Sequence, residues 1–226
     1  MDLIYKIILP IHIVTGSISL ILFWIPVISK KGGRIHVKSG IAYVYTMWIT
    51  VVTAALLSIH NLISGDYFSA LFLGFLSLLT AKPLWYGIAI LRMKSGLSKP
   101  LYQTRRYIEF GVVLLGLANV LFAIYMKFDN GTVLLFFFGL IGVSGLRELR
   151  TDYDKFIAEV DPIKDHIVGM LVSGIAAYTA FLAFGGRTLL GNLFEGPLMA
   201  LPWMTPTVLG FVGIKWYTKK WSKKKI

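Results

Sequence analysis

Apolar residues in this chain come in long blocks, and the charged residues fall mostly between them. Residues 3–29 carry one charge, Lys6; residues 40–60 carry none; residues 67–91 carry only Lys82. Further blocks occupy 105–126, 132–149, 163–184 and 197–217. A helix needs roughly 20 mostly apolar residues to cross the hydrocarbon core of a bilayer. Apolar residues occupy every face of these blocks, with neither the alternation of a half-buried strand nor the single stripe of a soluble helix. The pattern predicts an all-α fold: a polytopic transmembrane helical bundle of about seven spans, forming one domain over residues 1–226. The fifth block is short. The seventh holds Pro202 and Pro206, and proline lacks a backbone donor and clashes one turn back, so a kink or late start is expected there.

Between the first two blocks lies Lys30-Lys31-Gly32-Gly33-Arg34-Ile35-His36-Val37-Lys38-Ser39-Gly40. This is a basic hinge. A tight reversal between antiparallel helices requires a left-handed residue, which glycine adopts without penalty, so Gly32 or Gly33 is expected at positive φ. The charge of the other loops extends this reading. Four Lys or Arg fall in the first loop, five in the third, four in the fifth and six in the tail, 19 of the 23 in the chain. Lys6, Lys127 and Arg187 fall on the opposite side, and Lys82 lies within a span. Basic residues accumulate on the cytoplasmic side of membrane proteins. The N-terminus is therefore expected outside, the C-terminus in the cytoplasm, and residues 185–196 outside, in a bacterial cytoplasmic (inner) membrane. Only residues 150–165 have the composition of a soluble segment, and a short amphipathic helix is expected on them.

Composition removes several classes of function. The chain is 56% hydrophobic and 15% charged, with mean hydropathy +0.72; soluble domains carry about 25% charge. A net charge of +12 in a soluble protein would point to nucleic acid. Here topology explains it, so the expected partner is the lipid bilayer and not nucleic acid, with a homo-oligomer or another membrane protein left open. Without cysteine, disulfides, thiolate metal sites and thiol catalysis are excluded. No phosphate loop or H-E-x-x-H motif occurs.

Polar groups inside the blocks are the candidates for chemistry, because ionisable side chains are expensive in a bilayer. Lys82 lies ten residues before Arg92, about 15 Å from the cytoplasmic boundary at helical rise. Its acceptors are expected to be Glu109 or carbonyls released by Pro83. Glu109 follows Arg105 and Arg106 by four and three residues, the spacing of a helical ion pair, and Asn119 continues the same face inward. The chain has four histidines, His12, His36, His60 and His166. Two imidazoles on different helices at one depth can ligate haem iron, and neutral imidazole also suits zinc or copper. All four are candidate cofactor ligands. His36 and His166, both at the cytoplasmic boundary, are the better-matched metal pair; His12 and His60 differ in depth. The structural alternative is that each histidine bonds a backbone carbonyl or a neighbouring helix. Gly169, Ser173 and Ala177 mark a close helix contact. Thr46, Thr50 and Thr53 mark either another such contact or the lining of a polar cavity.

His12 with Gly16, then Lys31-Gly32-Gly33, His36, Gly40 and Tyr43, resembles the opening of a bacterial multi-pass membrane family known as a domain of unknown function. That family has a His-x-x-x-Gly first helix, a K-G-G-x-x-H loop and a G-x-x-Y second helix. His166, Gly169-Met170 and the stretch from Ser173 to Phe181 resemble its later H-x-x-x-M-x-x-S-x-x-A-A-x-T-A-F segment. Val37 stands where members usually carry arginine. The resemblance implies membrane architecture and no activity. Three functions stay open: a haem b or divalent-metal redox module built on histidine, a small transporter or ion-coupled permease using Lys82, Glu109 and Asn119, and a structural or accessory membrane protein.

Overall fold

The computed structural model describes residues 2–95, 98–129, 131–185 and 201–222. These residues are helical nearly throughout, with no strand among them. In chain order the helices are α1 (Asp2–Ile28), α2 (Arg34–Ile63), α3 (Tyr67–Ala89), α4 (Ser98–Tyr125), α5 (Val133–Val143), α6 (Leu146–Leu149), α7 (Tyr153–Glu159), α8 (Pro162–Ala180) and α9 (Leu201–Ser222). A 3-10 turn, Ile90–Ser95, follows α3, and a π-helical turn, Phe181–Gly185, follows α8. Four segments are long and apolar enough to cross a membrane: Tyr5–Ile28, Arg34–Ile63, Tyr67–Arg92 and Ser98–Tyr125. The fifth block is interrupted. Its helix α5 has 11 residues, about 16 Å of rise, and the chain turns at Ser144–Gly145 before α6. Most of the expected outer loop over 185–196, and the start of the seventh block at 197–200, lie outside the described residues.

The helices form two compact units. The first comprises residues 1–82 and 95–160, the second residues 83–94 and 161–226. In the first unit a few polar groups are buried within an apolar core that includes Met47, Phe75 and Leu135, and further apolar side chains face outward. Ser19 and Asn119 are fully buried, while Ile21 is 70% exposed and Leu121 57%. Apolar side chains left on the outside of long helices belong in lipid.

The α1–α2 hairpin is joined by hydroxyl contacts. Ser19 Oγ donates to Thr46 Oγ1 at 2.8 Å, and Thr50 Oγ1 to Thr15 Oγ1 at 3.0 Å. The threonine stripe is thus a helix contact. Its hinge turns on Gly32 at φ +73, the left-handed residue expected. Two side chains of the hinge close the end of α1: Lys31 Nζ donates to the carbonyls of Pro26 (2.7 Å) and Val27 (2.6 Å), and His36 Nδ1 donates to the Pro26 carbonyl (3.0 Å). The last carbonyls of a helix lack intrahelical partners and carry partial negative charge, so a lysine and a histidine placed there satisfy them.

Helices α4 and α5 meet through glycine. A Cβ at Gly116 would lie 2.8 Å from the Gly139 carbonyl oxygen and 2.9 Å from the Gly142 Cα, so no larger residue fits without separating the backbones. Over residues 150–165, α7 forms where an amphipathic helix was expected, with Asp152 as N-cap accepting from Lys155 N at 2.8 Å. Phe156 of α7 is buried and its ring lies 5.5 Å from that of Tyr102.

In the second unit, α8 starts at Pro162 with Asp161 as N-cap. It crosses the last turns of α3 at Gly169: a Cβ there would come within 2.7 Å of the Pro83 carbonyl oxygen and 2.8 Å of the Gly87 Cα. This is the small-residue contact expected of the Gly169 stripe. Gly210 of α9 faces Ile175 of α8.

Candidate functional site

The site is built where α3, α4 and α6 converge in the first unit. Lys82 sits two-thirds along α3. Pro83 beside it removes one backbone donor from the helix. The Lys82 ammonium is ion-paired to Glu109 of α4, and at 3.1 Å to Glu148 Oε2 of α6. The same Glu148 oxygen accepts from Arg105 Nη2 at 3.0 Å. Two cations and two carboxylates are thus joined in a row.

They differ sharply in exposure. The Glu109 side chain is 2% exposed and that of Glu148 43%, with Lys82 and Arg105 between them at 23% and 21%. Glu109 occupies the interior end because α4 turns it toward the backbone of Gly145. A methyl group at Gly145 would overlap its carboxylate. Arg106, one residue on from Arg105, donates to the Tyr102 hydroxyl at 3.0 Å. Tyr102, Arg105, Arg106, Glu109, Glu148 and Leu149 line a shallow recess beside the row.

The expectation for Lys82 and Glu109 agrees with this geometry: Glu109 is its leading partner, and Lys82 is held by carboxylates. The helical pairing of Glu109 with Arg105 or Arg106 is replaced by contacts between elements, since Glu109 meets Lys82 and Arg105 meets Glu148. Asn119 lies elsewhere on α4. It is fully buried and its Nδ2 donates to the Leu115 carbonyl at 2.8 Å, while its Oδ1 has no hydrogen-bond partner. Glu148 is the member that sequence reasoning missed. It looks like one more loop charge between Arg147 and Arg150, and only the placement of α6 beside α4 brings it to Lys82 and Arg105. Ser144 and Gly145 keep right-handed helical angles, so no turn signal in the sequence marks that placement.

The histidines stand apart from the charged row. His12 Nδ1 lies 3.1 Å from the Thr50 carbonyl oxygen and 3.1 Å from Thr53 Oγ1. His60 packs its ring on Tyr5, centroids 5.0 Å apart, and neither ring nitrogen has a hydrogen-bond partner. It lies seven residues beyond Thr53 on α2, about 10 Å along the axis, which separates it in depth from His12. His36 bonds Pro26 as described. His166 Nδ1 lies 2.6 Å from the Gly87 carbonyl oxygen near the end of α3. Of the expected metal pair, His36 belongs to the first unit and His166 to the second. No group of three or more His, Asp or Glu side chains gathers in a metal-ligating arrangement among the described residues.

Comparison with protein-family models, curated proteins and solved structures gives no match to this chain.

Proposed function

We propose that this chain is a small ion-coupled permease of the bacterial inner membrane, with the Lys82–Glu109 pair as its coupling centre. One observation carries the reading: a carboxylate only 2% exposed, on a helix long and apolar enough to span, bonded to a lysine on another such helix. Removing both ions from water carries a desolvation penalty that their attraction only partly offsets, and a pair of apolar side chains would fill the space as well. A charge pair that moves a proton or binds an ion has a reason to be there. Lys82 can hand its contact between a buried and an exposed carboxylate, which is the arrangement a coupling ion needs to pass from interior to edge.

The topology assumed is seven crossings with the N-terminus outside, the interrupted α5–α6 segment serving as the fifth, and the basic loops in the cytoplasm. The lipid bilayer is the partner, and membership in the resembling family of unknown function is part of the proposal. The test is proton flux into liposomes containing the purified chain, followed with an entrapped pH dye after a potassium-diffusion potential is imposed. Wild type should acidify the lumen, and the double variant Lys82→Met/Glu109→Leu, which removes both charges together and leaves no unpaired ion, should abolish the signal while remaining folded. Equal flux in wild type and the double variant would refute the reading.

A histidine-ligated haem b or metal module is the second reading. It is favoured by the bonding of His12, His36 and His166, each of which places Nδ1 on a backbone carbonyl. A carbonyl only accepts, so Nδ1 carries the proton and Nε2 is the ring's acceptor nitrogen, the tautomer of metal-bound imidazoles. A visible spectrum of the purified protein tests it: a Soret band supports haem, and its absence together with metal-free elemental analysis removes this reading.

A further inference from the structure

We infer that the exposed end of the charged row is a binding site for a small carboxylate, and that Glu148 is its built-in occupant. This deepens the permease reading, on which it rests, by naming the substrate class. One oxygen of Glu148 lies between two cations carried by two different helices, 3.1 Å from Lys82 Nζ and 3.0 Å from Arg105 Nη2. That is the position in which a substrate carboxylate would be held, and a guanidinium fork is matched to carboxylate geometry.

The four members of the row are not equally anchored. Lys82, Arg105 and Glu109 stand on helices of 23 and 28 residues. Glu148 stands on a helix of four residues, bounded by the turn at Ser144–Gly145 and by Arg150. It is also the most exposed of the four. Receptor and occupant are thereby distinguished: the cations are fixed, and the carboxylate can swing away with its short helix. With Glu148 in place the row is neutral, two cations against two anions. With Glu148 withdrawn, the row holds two cations against one anion, and the site is one negative charge short. The recess lined by Tyr102, Arg105, Arg106 and Glu148 opens beside that vacancy, and Arg106 adds positive charge at its mouth. A monovalent anion with the dimensions of a glutamate terminus, acetate or a slightly longer monocarboxylate, replaces what leaves.

The experiment is chemical rescue on the full-length purified chain. Glu148→Ala removes the tethered carboxylate and leaves room for a free one. Sodium acetate should raise its thermal unfolding midpoint saturably, with half the effect in the millimolar range, against sodium chloride at the same ionic strength. Acetamide, the neutral isostere, should have no effect. Wild type should respond at least tenfold more weakly, and the double variant Arg105→Gln/Glu148→Ala should lose the response. If Glu148→Ala does not fold, Glu148→Ser, which also leaves room for a free carboxylate, takes its place, and binding of radiolabelled acetate replaces the melting assay, with saturable binding expected. Acetate acting no more strongly on the Glu148 variant than on wild type, or acetamide acting equally, would overturn the inference. Loss of acetate rescue with Lys82- and Glu109-dependent proton flux intact defeats this inference alone. Absent flux with acetate rescue intact defeats the permease reading and leaves a carboxylate-binding site.

Discussion

Lys82 and Glu109 each neutralise what would otherwise be an isolated charge in an apolar bundle. Breaking a buried pair from one side leaves an uncompensated ion and costs about 3–5 kcal/mol, whereas replacing both members is often close to neutral. Lys82→Met alone should therefore destabilise the protein markedly, and Lys82→Met/Glu109→Leu should recover most of the loss, read as unfolding midpoints in detergent. Additive losses would mean that the two side chains do not act as a pair. Gly145 is held by the same group. Because a methyl group there overlaps the Glu109 carboxylate, Gly145→Ala should cost about 1–3 kcal/mol, the usual range for overpacking. Gly213 on α9 has nothing within 4 Å of where its Cβ would stand, so Gly213→Ala is the matched control and should leave the midpoint unchanged or slightly higher. Equal effects at the two glycines would contradict the close approach of Glu109 to the α5–α6 turn.

At the scale of elements, the hinge explains the K-G-G-x-x-H spacing physically. Gly32 supplies the reversal, Lys31 reaches back to the carbonyls of Pro26 and Val27, and His36, a turn into α2, adds a second donor to Pro26. Each bond is worth about 1 kcal/mol net, more where the donor is charged. Lys31→Met should leave the fold intact and loosen the last turn of α1, seen as faster amide exchange at residues 28–30 and not at residues 12–20. Uniform acceleration along α1 would mean that the loop holds more than the helix end. The α4–α5 contact behaves differently because it is backbone against backbone. Gly116→Leu has no flexible neighbour to displace, so it should separate the two helices and expose α5 to protease, while Leu117→Ala, on the outer face, should not.

For the whole molecule the decisive quantity is sidedness. With no native cysteine, single cysteines report topology without background. Asp66→Cys and Asp129→Cys lie in loops expected outside and should react with an impermeant maleimide on intact cells. Asp154→Cys, on α7, should react only after permeabilisation. The expectation rests on the 19 basic residues of one side against three of the other. Labelling of Asp154→Cys together with Asp66→Cys on intact cells would break the alternation and with it the seven-crossing topology.

Most helices were legible in the sequence because a bilayer demands long apolar runs and turns exclude them. The blocks over 3–29, 40–60, 67–91 and 105–126 became α1 to α4 with shifts of a few residues at most ends, and the positive φ at Gly32 followed from the hinge alone. Lys82 and Glu109 were legible as a pair because charges in apolar blocks have few other partners. The fifth block read as continuous, since Ser144 and Gly145 sit in hydropathy high enough to hide a turn. That turn is a tertiary matter: Gly142 and Gly139 are spent on close approach to Gly116, and Gly145 must make room for Glu109. Glu148 consequently arrives at Lys82 and Arg105 from outside their helices, which no spacing along the chain encodes. The histidines show the same division. Their depth follows from position in a block, but the carbonyls they bond, Thr50, Pro26 and Gly87, are decided by which helix lies opposite. Length and polarity are local properties that the sequence by itself determined; the choice of partner across a helix contact belongs to the folded chain, where burial leaves each polar group few alternatives.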